Sequence, residues 1–265
     1  MKPNRSGKLG PIQAVSILLV GLLLVAFFLG FVTARSGRPN DMVLIPAGPF
    51  EMGAADRPEE AGLLPSWIEE NAKPKHWVTL SAFYLDRYEV TLGEYRKIRP
   101  AFNRSQALSD FPVTEVSWYE ADAFCRAVGK RLPTEEEWEK AARGTDGRIY
   151  PWGNLFDRGK ANLGRFPAAV GSRPGDRSPY GVMDMAGNAS EWTESWYRPY
   201  PGSHYSSPEL GLTHKVVRGG SFMEDRHFAD ELFARVTFRA GYSPADAGAD
   251  TGFRCALSVD ETSHP

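Results

Sequence analysis

From about residue 145 onward the chain has no long stretch of helical or strand periodicity, and this absence limits its possible folds more than any motif does. Proline, glycine and aromatic residues crowd "YPWGN", "GSRPGDRSPYGVMDMAGN" and "SWYRPYPG". Glycine accepts turns that other residues resist, and proline removes a backbone donor, so hydrogen-bond ladders stay short where both are frequent. Buried amides must then find side-chain partners, and seven tryptophans supply much of the area for a core. With 265 residues and no internal repeat, one large domain is expected.

The preceding hundred residues are more regular. "MVLIPAGPFEMG" has an apolar run cut by Pro46 and closed by turn residues, the pattern of a strand pair joined by a tight turn. Residues 54–76 are polar and contain prolines, which predicts a surface loop. "HWVTLSAFYLDRYEVT" alternates as a strand does. Three capping boxes mark helix starts: Thr91 with Glu94, Ser117 with Glu120, and Thr134 with Glu137. The second helix places Ala121, Phe124, Cys125 and Val128 on one face, with Gly129 to close it, so Cys125 is predicted to point inward. The third places Trp138, Ala141 and Ala142 on one face and stops at Gly144.

Residues 12–33 carry no charge. A helix of that length spans about 33 Å, against roughly 30 Å of bilayer hydrocarbon, so the segment reads as a transmembrane anchor. A cleaved signal peptide ending near Val32-Thr33-Ala34 is the alternative, although its apolar region normally covers only about 7–15 residues. Lys2, Arg5 and Lys8 favour a cytoplasmic amino terminus, and Arg35 and Arg38 weaken that bias. The expected organisation is a cytoplasmic tail 1–11, an anchor 12–33, a linker 34–41, a domain 42–258 outside the cytoplasm and a tail 259–265. Without the five basic residues of the first forty, 26 bases face 33 acids, a net of −7. Such a body repels phosphate backbones, which argues against nucleic acid as a partner.

Seven blocks, "MVLIPAGPFEMG", "YEVTLGEY", "PVTEVSWYEADAFCRAVGKRLPTEEEWEKAARG", "YPWGN", "YGVMDMAGNASEW", "VVRGGSF" and "GFRCAL", resemble the formylglycine-generating enzyme, or sulfatase-modifying factor, family in the family's order. The resemblance runs from about Met42 to Leu257. It implies an α+β class, a single compact mixed domain with little regular secondary structure, related to C-type lectins. It also implies a structural disulfide between Cys125 and Cys255. Without the resemblance, two buried free thiols fit the composition equally well.

The same resemblance assigns "AGNASEW" to a calcium-binding turn. Asn188 and Glu191 would give side-chain oxygens and Ala189 and Thr193 carbonyls, the hard donors calcium needs. In the alternative, Asn188 bonds its own backbone and Glu191 pairs with an arginine. A second family calcium site would begin at Asn162 and Leu163, but the acidic loop that completes it is deleted, so that site is not carried over.

One departure bears on chemistry. The family's oxidases hold copper(I) through two cysteines shortly after the Gly-Gly-Ser-aromatic turn, and soft thiolates suit that ion. Here those places fall near Glu224 and between Ala229 and Glu231, where no cysteine stands. Copper-dependent formylglycine synthesis is therefore not expected. The run "EDRHFADE" in its place offers Glu224, His227 and Asp230 at helical spacing as ligands for iron(II), manganese or zinc, or Glu224 and His227 as catalytic acid/base groups. It also fits a solvated loop. Arg218, Arg235, Arg239 and Arg254 fit either an anion clamp or bonds to carbonyls and carboxylates. The leading expectation is a membrane-anchored accessory or ligand-binding domain in the periplasm or outside the cell, with a peptide or periplasmic protein as partner. A tailoring or maturation oxidase and a lectin-like carbohydrate binder are the alternatives, the last on fold analogy alone.

Overall fold

The computed structural model describes residues 41–55, 70–102, 108–223 and 229–259. The expected anchor and its flanking segments lie outside these, and so do Glu224 and His227. Among the described residues no helix is long and apolar enough to cross a membrane. One compact unit runs from Asn40 to His264.

Among the described residues three small sheets organise it. Strands β1 (Met42–Ile45) and β9 (Ala256–Ser258) flank β4 (Phe83–Asp86), so the two ends of the described chain meet in one antiparallel sheet. Among the described residues, strands β2 (Gly48–Met52) and β3 (His76–Leu80) pair only with each other. The third sheet has the order β7 (Arg239–Tyr242), β6 (Lys215–Arg218), β5 (Ser190–Trp196) and β8 (Thr251–Gly252), the last pair being parallel.

The N-terminal strands correct the sequence reading twice. "MVLIPAGPFEMG" is not a hairpin, because β1 and β2 join different sheets. Val43 and Ile45 pack with Phe83, Leu85 and Trp138, whereas Phe50 and Met52 pack with Ala72 and Tyr200. Pro46 and the positive φ of Gly48 fall where the chain passes between sheets. "HWVTLSAFYLDRYEVT" divides in the same way into β3 and β4. The expected surface loop also ends inside the protein, since Asn71 and Ala72 are buried.

All three capping boxes form, at α1 (Leu92–Ile98), α2 (Trp118–Ala127) and α3 (Glu135–Arg143). Cys125 is buried as predicted and is bonded to Cys255, closing a span of 130 residues. Val128 is the exception on its helix face. It caps α2 and stays partly exposed, because the buried face ends with the helix. Past residue 145 the strands are at most seven residues long, and one four-residue helix, α4 (Asp230–Phe233), breaks the irregular chain.

Candidate functional site

Helix α3 organises a buried ionic lattice. Its i, i+4 spacing sets Glu135 and Glu139 one turn apart on the same face. Glu135 accepts from Arg239 Nε at 2.6 Å and Nη2 at 3.0 Å, and from the Tyr200 hydroxyl at 3.0 Å. Glu139 accepts from Arg143 at 2.6 Å, from the Gly53 amide at 2.8 Å and from Arg218. Arg218 and Arg239 also donate to backbone carbonyls, including those of Val236, Thr237 and Asn71, while Arg218 Nε stays without a partner. These arginines therefore hold the irregular chain together and are not presented to an anion. Arg235 is also buried, with its guanidinium 3.8 Å from Glu231.

The Arg-Gly-Gly-Ser turn follows directly from Arg218. A Cβ at Gly220 would stand 2.7 Å from the Ala186 carbonyl oxygen, and Gly219 has φ +76° against Trp138, so both positions require glycine. The turn delivers Ser221, whose hydroxyl donates to Asp250 at 2.6 Å.

The "AGNASEW" corner differs from the cage expected of it. Asn188 Oδ1 accepts from Asn162 Nδ2 at 3.0 Å and from the Ala168 amide at 2.9 Å, while its Nδ2 donates to Glu89 at 2.7 Å. Both carboxylate oxygens of Glu191 receive Arg254, at 2.6 and 2.7 Å, and the Trp138 indole adds 2.8 Å. The Thr193 carbonyl accepts from the Trp118 indole at 2.8 Å. Side-chain oxygens already engaged by N–H donors do not fit a calcium cage, and the pairing of Glu191 with an arginine is what the structure shows. Among the described residues no group of three or more His, Cys, Asp or Glu is placed to hold a metal.

Around this corner lie further buried carboxylates. Burial, reinforced by Asp184, lifts Glu89 and Asp176 well above the usual range. Burial also pushes Asp184 up to about 6. Asp230, expected as a metal ligand, is fully buried and paired with Arg158, and its Oδ1 has no donor. Next to it Glu231 accepts from Tyr150, whose hydroxyl is pushed up to about 12 by burial.

The candidate site lies on the third sheet. A cleft of about 550 Å³ is lined by Tyr197, Tyr205, Phe233, Phe238 and Tyr242, with Ser190, Ser207, Glu209 and Asn71 among them. Asn71 donates to the Tyr197 hydroxyl and to the Arg239 carbonyl, both at 2.9 Å, and its buried Oδ1 has no partner. Aromatic walls with a few fixed polar groups are the usual composition of a ligand pocket, and an unmet buried acceptor costs about 1–3 kcal/mol until a donor reaches it. The cleft can therefore take a ligand that offers apolar area and a few polar groups. The sequence reading missed it. Five rings from separate segments carry no common spacing, and Asn71 lay in what read as a polar loop.

Comparison with known proteins agrees with the resemblance. Residues 30–259 match the model for the sulfatase-modifying factor enzyme 1-like domain. The inactive C-alpha-formylglycine-generating enzyme 2 of Bos taurus is 30% identical, over 83% of this chain and 89% of its own length. Its Mus musculus counterpart is 40% identical over 57% of this chain, a match spanning only half of that protein. The hercynine oxygenase of Mycolicibacterium smegmatis is 32% identical over 71% of this chain and 55% of its own. Among solved structures, PvdO from Pseudomonas aeruginosa superposes with a TM-score of 0.64 at 26% identity, covering 82% of this chain and 94% of its own.

Proposed function

The chain belongs to the sulfatase-modifying factor family, and from that premise we propose that it is a ligand-binding or accessory member that does not make formylglycine by the copper route. One observation carries the reading: the only two cysteines are bonded to each other, so no thiolate stands ready for a cuprous ion. The aromatic cleft supports binding, with its rings and the polar groups of Ser207 and Glu209 facing a peptide. The relatives that carry the name inactive formylglycine-generating enzyme are consistent with it. The uncharged stretch 12–33, with Lys2, Arg5 and Lys8 before it, supports tethering to a membrane with the domain outside the cytoplasm.

The test is direct. Purified protein supplied with copper(I) and oxygen yields no aldehyde from a cysteine-bearing peptide, and aldehyde formation would overturn the reading. A photo-crosslinker in place of Tyr205 should yield adducts in the producing cell, while one in place of the exposed Tyr119 should not. A second reading, a tailoring oxidase, draws on the likeness to hercynine oxygenase and places chemistry on Glu224 and His227. There Glu224→Gln abolishes turnover, whereas in the binding reading it leaves crosslinking at position 205 intact.

A further inference from the structure

Among the described residues strand β3 has a partner on one side only. Strand β2 pairs along His76–Leu80, and among the described residues no other backbone group hydrogen-bonds to these five. Alternate residues of an antiparallel strand turn their N–H and C=O away from the partner, so β3 presents a row of donors and acceptors that no described backbone group meets. Proteins usually blunt such an edge with lysine, proline or a bulge. "HWVTL" has no lysine or proline, and its register with β2 runs unbroken. Trp77, the second residue of the strand, is instead 73% exposed.

The strand also forms one wall of a groove of about 540 Å³. Trp196, Pro199 and Pro201 line the groove with Glu136 and Arg198, and the ring of His76 meets Tyr200 edge-on at 4.7 Å. The carboxylate of Glu136 and the guanidinium of Arg198 have no hydrogen-bond or ion-pair partner among the described residues. Apolar rings, opposite charges and an open ladder thus lie side by side. A saccharide would use the rings and the charges but would leave the ladder unmet. A polypeptide in extended form satisfies all three.

We propose that the outer edge of β3 and this groove form a docking site for an extended segment of another protein. The segment adds as a third strand, sets aliphatic side chains against Trp77 and Trp196, and carries a basic and an acidic residue to meet Glu136 and Arg198. The groove shares no lining residue with the aromatic cleft, so the inference stands apart from the function proposed above.

The experiment uses the full chain in detergent micelles and two capped peptides, KTVTVTVTD and DTVTVTVTK, with versions N-methylated at alternate residues. Binding is measured by calorimetry, and hydrogen exchange is followed at residues 76–80. One unmethylated peptide should bind and slow exchange on β3. Its methylated version and the Trp77→Ala variant should each bind about 10-fold more weakly, a loss of about 1.4 kcal/mol. The thermal midpoint of Trp77→Ala should match the parent, which separates lost binding from lost folding. Failure of both peptides to bind, or equal binding of the methylated versions, would overturn the proposal. So would protection of β3 that appears with protein concentration alone, which would mean pairing of two copies, or protection by maltohexaose and by neither peptide.

Discussion

Two buried ionic clusters in this protein are built with opposite balances. Beneath α3, Glu135 and Glu139 face Arg143, Arg218 and Arg239, and most donors and acceptors are matched. Around Asn188, four carboxylates, Glu89, Asp176, Asp184 and Glu191, face Arg254, which Glu191 engages in bidentate fashion. The first cluster acts as a fastener, because every charge has a geometric partner. The second holds protons that the unfolded chain would release, so its contribution depends on pH. Burial is nearly complete in both clusters. Stoichiometry, and not depth, separates a structural ion cluster from a titrating one.

The sharpest way to break the comparison is Glu139→Ala. It leaves Arg143, Arg218 and the Gly53 amide without their shared acceptor, and removing one partner of a buried pair costs about 3–5 kcal/mol. Chemical denaturation should show a loss of that size. A loss below about 1 kcal/mol would mean that the lattice is not a fastener. Next in size is the double change Cys125→Ser, Cys255→Ser. Arg254 is held beside a bond that closes 130 residues, and loss of such a bond typically costs about 2–5 kcal/mol. Denaturation under oxidising conditions measures it against the parent.

Asp184 sharpens the other side. Its folded-state carboxyl titrates at about 6 and its unfolded one near 3.8, so the folded state holds the proton more tightly. Stability from this group is therefore lowest above pH 6 and recovers as pH falls towards about 4. Asp184→Asn keeps an acceptor for the Gly171 amide and tolerates the left-handed backbone at this position. It should be about 1–3 kcal/mol more stable than the parent at pH 7.5, with the advantage gone near pH 4. An advantage that does not change with pH would remove Asp184 as the titrating group. The smallest effect belongs to the surface. Arg126→Ala breaks an i, i+4 pair whose arginine is 70% exposed, and a change within about 0.5 kcal/mol is expected.

The sequence could be read where its signals are local. A capping box is chemistry confined to four consecutive positions, so Thr91, Ser117 and Thr134 marked their helices correctly. The inward direction of Cys125 followed from spacing on one helix face. Strand partners are another matter. Nothing in "MVLIPAGPFEMG" records that β1 will lie beside β4 and β2 beside β3, because each choice is made by apolar clusters assembled from distant segments. The calcium expectation at Asn188 and Glu191 met the same obstacle. The residue types suit calcium, yet Asn162 and Arg254 reach those oxygens from 26 and 63 positions away.

By itself the sequence determined the family, the three capped helices and the absence of a cysteine pair beyond the turn at Arg218. These depend on which residues are present and on spacings of a few positions, and folding does not alter either. Only the tertiary structure decided that the buried arginines fasten the chain, that five aromatic rings and Asn71 line a cleft, and that no described strand pairs with the outer edge of β3. Each of those depends on which groups satisfy one another across long separations, a competition settled by the whole core at once.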